Sequence, residues 1–187
     1  MRLPYVADPP RAQTSHEAQI LARVQERRAP GSLLPLDRAL LHSFSVADGW
    51  NSFLGAIRTG TSLSPVIREV IICRVAILNG AIFEWDHHAP ILLQAGFKDE
   101  ALQVLRDKHA DLASSTQQGT LSPCIEVVLR YTDAITTTIT VADDLFTMVR
   151  ELFSTREIVE ITATIAAYNC VSRFLVALDI GEKNSAA

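Results

Sequence analysis

The sequence predicts an all-α protein, a helical bundle of eight or nine helices. Breakers are scarce, with 8 Gly and 8 Pro in 187 residues, below ordinary usage. Apolar residues make up 48% of the chain and recur at helical spacing through most of it. Helix-start signals also recur, whereas the one β-branched stretch, Thr136 to Val141, has no second strand to pair with.

Taken in order, Thr14-Ser-His-Glu17 reads as a capping box, in which Thr and Glu side chains satisfy free amides reciprocally. It opens a rather polar helix to about Arg28, which Ala29-Pro-Gly-Ser breaks. Asp37 can cap a short helix through Leu41. A run from Val46 to about Thr59 sets Val46, Trp50, Phe53, Leu54 and Ile57 at helical spacing, and Gly60-Thr61-Ser62 turns the chain. Ser64-Pro65 is an N-cap followed by proline at the first helical position. The helix after it is apolar nearly all round to Leu78, and Asn79-Gly80 ends it. Another helix runs from Ala81 or Ile82 to Ala95, with Gly96 where a left-handed residue belongs.

Asp99 can cap the next helix, ending near Ala110, and Ser114 to Thr120 reads as a polar loop. Ser122-Pro123 repeats the start signal for a helix to about Ile135. Thr136 to Val141 is then an extended connector, and helix resumes over Ala142 to Phe153. Ser154-Thr-Arg-Glu157 is a second capping box, opening a long apolar helix to about Leu178 before Gly181. The expected organisation is an N-terminal extension with one helix over 1–35, a helical domain over 36–181 and a frayed tail over 182–187.

Composition narrows the function. The formal charge is −4 and no basic block stands out, which disfavours nucleic acid as a partner, because phosphate binding needs clustered Lys and Arg. Cys73, Cys124 and Cys170 are an odd, widely spaced set, which reads as reduced, mostly buried thiols rather than a disulfide framework or a zinc site. The N-terminus has no apolar signal core, and Arg74 and Arg173 interrupt the most apolar runs. The expectation is a cytoplasmic protein with no membrane partner.

One segment departs from the pattern of apolar buried faces. Between Arg68 and His88, the polar residues Glu69, Glu84, Asp86, His87 and His88 stand among Ile, Val, Phe and Trp. Glu84 and His88 are i,i+4 neighbours and share a helix face. A tight hairpin at Asn79-Gly80 would bring Glu69 back to the His88 imidazole. A carboxylate against a histidine in a poorly hydrated pocket can move protons near neutral pH. The plainer alternative is a surface Glu–His pair of little energetic consequence. Glu84-Trp-Asp-His87 also fits the Glu-x-x-His spacing of dinuclear metal centres, but the chain has no second copy of it, and no metal is expected. Cys73 falls mid-helix, where inert burial is the ordinary reading. Cys124 stands at a helix start, where the dipole would lower a thiol pKa.

The segment Glu69, Gly80-Ala81-Ile82-Phe83-Glu84-Trp85, His88 and Ala95-Gly96-Phe97 resembles the carboxymuconolactone decarboxylase family, which shares the alkylhydroperoxidase D-like all-helical fold. Asp48-Gly-Trp-Asn-Ser-Phe-Leu-Gly55, Phe153 to Glu160 and Tyr168-Asn169 add to the likeness, which spans roughly Leu36 to Gly181. In the peroxidase branch, a glutamate precedes a Cys-x-x-Cys pair and a histidine follows. Here those thiol positions hold Ala81 and Glu84, while Glu69 and His88 remain. Peroxide reduction by a nucleophilic and a resolving sulfur is therefore expected to be absent.

The resemblance implies a cofactor-independent lyase or isomerase. Its catalytic residues would be His88, Glu69 and Glu84, with Trp85, His87, Trp50 and Phe83 lining the substrate pocket. The substrate would be a small oxygenated or carboxylated compound, undergoing decarboxylation, isomerisation, dehydration or lactone chemistry. The resemblance also implies a homo-oligomer, trimer or hexamer, and two highly apolar helices agree with that. The alternative is a non-catalytic oligomeric binding or scaffold protein of the same fold, with the Glu–His set as a structural network.

Overall fold

The computed structural model describes residues 1–183, whose regular secondary structure is all helical: ten helices rather than the expected eight or nine, and no strand among the described residues. They are α1 (Ser15–Arg28), α2 (Pro35–Leu40), α3 (Phe44–Thr59), α4 (Pro65–Asn79), α5 (Ile82–Gln94), α6 (Asp99–Arg106), α7 (Leu112–Gln117), α8 (Pro123–Thr137), α9 (Asp143–Leu152) and α10 (Thr155–Leu178). The chain divides into two compact units, one of residues 1–60 with 175–187, the other of 61–174. Residues 184–187 of the expected frayed tail lie outside the described residues.

In the first unit, the Thr14 hydroxyl accepts from the Glu17 amide at 3.2 Å and the Glu17 carboxylate accepts from the Thr14 amide at 3.3 Å. The expected capping box thus starts α1. The helix α2 begins two residues before the expected cap: Pro35 takes the first position, and Asp37 sits in the first turn. The buried Asp37 carboxylate accepts a two-pronged pair from Arg28, at 2.7 and 2.8 Å, and the Leu34 amide at 2.8 Å. On α3 the buried face is Ala47, Leu54 and Ile57, while Val46 and Phe53, both assigned to it by spacing, are exposed. The N-terminal residues are pinned by the Arg2 amide on the Leu178 carbonyl and by Arg38 on the Val6 carbonyl. The Met1 ammonium pairs with Glu182 at 2.8 Å.

In the second unit, the Ser64 hydroxyl accepts from the Ile67 amide and opens α4, whose residues Glu69 to Ile77 are all buried. Such a helix needs partners on every side; α5, α6 and α8 pack against it. Gly80 adopts the left-handed conformation at φ 69°, which a Cβ disfavours. The Ala81 amide then bonds the Ala76 carbonyl and the Gly80 amide the Ile77 carbonyl, a Schellman closure. The same closure ends α5, where the Phe97 and Gly96 amides bond the Leu92 and Leu93 carbonyls. Ser122 and Ser154 cap α8 and α10 as expected.

Three expectations change. The polar stretch from Ser114 contains α7, capped by Asp111, whose carboxylate accepts from the Ser114 amide. The helix α6 stops at Arg106 rather than near Ala110. The connector after α8 is not simply extended: helix continues to Thr137, and Ile139 sits at φ 68°, 84% exposed.

Arg74, the largest fully buried side chain, ties α4 to its surroundings. It forks onto Asp133 of α8 at 2.7 and 2.8 Å and donates to the Leu105 and Asp107 carbonyls. By length and composition α10 could cross a membrane, as core helices of soluble proteins also could; fewer than half the residues of its most apolar stretch are buried.

Candidate functional site

The α4–α5 hairpin builds the site. Its left-handed glycine reverses the chain so that the second turn of α4 lies beside the middle of α5. Glu69, fully buried, accepts a hydrogen bond from the Nδ1 of His88 at 2.6 Å. Its other oxygen accepts from Arg68 Nε at 3.2 Å. The expected pair is therefore formed, and it is buried rather than a surface contact. An imidazole whose Nδ1–H points at a carboxylate has Nε2 as the atom that gains and loses a proton. The Tyr168 ring of α10 meets the His88 ring edge to face, with centroids 5.3 Å apart and planes at 86°. Tyr168 is buried too, so the histidine is held by a carboxylate on one helix and an aromatic ring on another.

Glu84, one turn before His88 on α5, stands in a different environment. It is 2% exposed, solvent reaches neither carboxyl oxygen, and among the described residues neither has a hydrogen-bond partner. Its place in the first turn explains why. A glutamate three residues into a helix commonly reaches back to the cap residue's amide, but the Ala81 amide is already given to the Ala76 carbonyl. Burial pushes the Glu84 carboxyl well above the usual carboxylate range, which favours its uncharged form. Glu69 and Glu84 thus differ in role: one is hydrogen-bonded to an imidazole and a guanidinium, the other is an isolated acid.

Cys73 lies one turn after Glu69 on α4, fully buried; burial raises its thiol pKa, and Glu69 and Glu84 raise it further. It is an inert thiol, as its mid-helix position suggests. Cys124 departs from expectation: burial, with Glu157 nearby, raises its thiol rather than the helix start lowering it.

Of the candidate pocket residues, Phe83 and His87 are in contact. Phe83 is buried and Trp85 half-buried, with the Arg106 guanidinium 5.8 Å from a Trp85 ring centroid. His87 sits on the exposed side of α5, its Nδ1 2.7 Å from the Phe83 carbonyl oxygen and its ring stacked at 4.3 Å on Phe83. That placement turns it from the Glu69–His88 pair, because adjacent helical residues point about 100° apart. Trp50 is half-buried on α3, in the other unit. Among the described residues no group of three or more His, Cys, Asp or Glu is placed to hold a metal ion. The residue that sequence reasoning did not include is Tyr168. It stood within a quoted motif, and only the packing of α10 on α5 shows what it touches.

Comparison with known proteins supports the resemblance read from the motifs. Residues 45–118 match the model of the carboxymuconolactone decarboxylase family. A crystal structure of an uncharacterised peroxidase-related protein from a Silicibacter species superposes with a TM-score of 0.72 at 16% identity, covering 97% of this chain and 95% of that one. An alkylhydroperoxidase D core protein from Ralstonia eutropha, also peroxidase-related, gives 0.73 at 17% identity over 96% and 90%. A protein of unknown function from Agrobacterium tumefaciens gives 0.62 at 21% identity over 74% and 90%. These likenesses establish the fold as alkylhydroperoxidase D-like. No curated protein matches the chain in sequence.

Proposed function

We propose that this chain, matched by the carboxymuconolactone decarboxylase family across residues 45–118, is a cofactor-independent acid–base enzyme. Its substrate is a small oxygenated or carboxylated organic compound. The observation that carries the reading is the buried Glu69–His88 hydrogen bond with a buried, unpartnered carboxyl, whose pKa burial raises, one turn along the same helix. Paired titratable groups whose surroundings drive them to opposite protonation states are the usual basis of acid–base assignment. His88, polarised by Glu69, is the base, and Glu84 is the acid. Decarboxylation, isomerisation, dehydration and lactone chemistry all use such a pair. Phe83 and Trp85 are candidate walls. Thiol peroxidase activity is not expected, because the two positions that would carry sulfur are Ala81 and Glu84.

The scaffold alternative accounts less well for this geometry. A structural polar network is retained because its members satisfy one another, and Glu84 is satisfied by nothing. The test is a screen of small lactones, oxo acids and hydroxy acids against the wild type and His88→Ala. General acid–base catalysis supplies about 10²- to 10⁴-fold, so the substitution should cost at least 10²-fold in kcat/KM. Equal turnover by both proteins would remove His88 from the mechanism.

A further inference from the structure

We propose that the site enolises a carbonyl compound: the Glu69–His88 pair removes a proton from the carbon beside the carbonyl, and Glu84 donates its hydrogen bond to the carbonyl oxygen. The inference rests on the acid–base reading above and narrows it to one substrate class, a ketone or lactone with a C–H next to its carbonyl group.

The geometry supplies both ends of such a reaction. The imidazole and the carboxyl project from one face of α5, with Cβ atoms roughly 6 Å apart for an i,i+4 pair. A four-atom H–C–C=O unit can bridge the groups at the ends of those two side chains. His88 Nε2 takes the proton, and the C–H electron pair becomes the new C=C bond. The carbonyl π pair moves onto oxygen, which the Glu84 O–H stabilises or protonates. Return of the proton to the same carbon, or to a conjugated one, completes an exchange or an isomerisation. Atoms and electrons balance without an oxidant or any further reactant.

An uncharged carboxyl is suited to this task and an ionised one is not. A carboxylic acid kept neutral by an apolar site can donate to a developing enolate, whereas a carboxylate would repel it. The structure keeps Glu84 neutral by the means such a site requires. No cation, amide or hydroxyl is within bonding distance of it, and solvent is shut out. On the facing helix the Cys73 thiol lies near enough for the Glu84 carboxyl to contribute to raising its pKa. Because the oxygens are sealed, a substrate reaches them by displacing a side chain packed over the carboxyl.

The test follows α-proton exchange of cyclopentanone and of levulinate in D2O by proton NMR. The proteins are the wild type, His88→Gln, Glu84→Gln and Glu84→Leu, with folding checked by circular dichroism. The wild type should exchange these protons faster than buffer, and His88→Gln should lose that acceleration. Glu84→Leu should lose about 10²-fold, the usual effect of deleting one oxyanion donor. Glu84→Gln, still a neutral donor, should stay within about tenfold of the wild type. Equal loss in folded Glu84→Gln and Glu84→Leu would overturn the donor role, as would no acceleration by the wild type. The low-field resonance of the His88 Nδ1 proton separates the two levels of the argument. Its presence without exchange overturns enolisation alone. Its absence from the wild type overturns the acid–base pair itself, and enolisation with it.

Discussion

Two carboxyl groups on one hairpin illustrate how little residue type says about charge. Glu69 has an imidazole on one oxygen and a guanidinium on the other, and Glu84 has neither. The difference has a measurable signature in stability. Below a pH of roughly 4.3, the ordinary glutamate value, folded and unfolded chains both keep the Glu84 proton. As pH rises the unfolded chain releases it, while the folded chain holds it up to its raised value, so unfolding becomes progressively more favourable across that window. Glu84→Leu removes both this slope and the cost of an unsatisfied buried group, about 1–3 kcal/mol. Thermal melts should therefore find Glu84→Leu more stable than the wild type at pH 7, with the gap shrinking towards pH 4. A variant less stable at neutral pH would contradict the isolation of this carboxyl. The Glu69–His88 pairing was legible in the sequence because a hairpin turn and an i,i+4 spacing imply it. The solitude of Glu84 was not, since it depends on which carbonyl the Ala81 amide chooses once the chain has reversed.

At the scale of elements, the hairpin depends on Gly80. A Cβ there would meet no atom within 4 Å, so Gly80→Ala costs only the backbone penalty of a left-handed residue, about 1–2 kcal/mol. Urea denaturation should show that loss without a change in m-value, and a loss below about 0.5 kcal/mol would mean that the turn relaxes. Helix starts were the most readable elements. Thr14, Ser64, Ser122 and Ser154 cap where a short polar side chain precedes an amphipathic run. The missed helix, α7, is Leu-Ala-Ser-Ser-Thr-Gln, too polar and short for periodicity to register, although Asp111 with Ser114 was a cap signal. The face of α3 was misjudged for a related reason. Large apolar residues occupy more than one side of it, and spacing cannot say which side finds a partner, so Ala47 is buried while Phe53 is 49% exposed.

For the molecule as a whole, α10 carries Val159 at 62% exposure, and Phe146, Met148 and Leu152 of α9 are also exposed. Together with the proposed trimer or hexamer, this exposure gives an expected light-scattering mass of a multiple of 20.5 kDa. A mass of one chain at micromolar concentration would refute the assembly, and Val159→Arg should lower the mass if α10 forms the contact. The division into two units has a further bearing on how the protein is made. The unit that holds Glu69, Glu84 and His88 is one uninterrupted stretch, 61–174, and the pair at its centre is 19 residues apart along the chain. The other unit joins the first 60 residues to the final stretch from Leu175 onwards, with the Arg2 amide on the Leu178 carbonyl. On the ribosome, residues 61–174 can fold once that segment has emerged, whereas residues 1–60, made before it, wait for the stretch from Leu175 that is made after it. Residues 1–60 are thus completed after a segment made later than they are, and it is there that a chaperone would find exposed apolar surface.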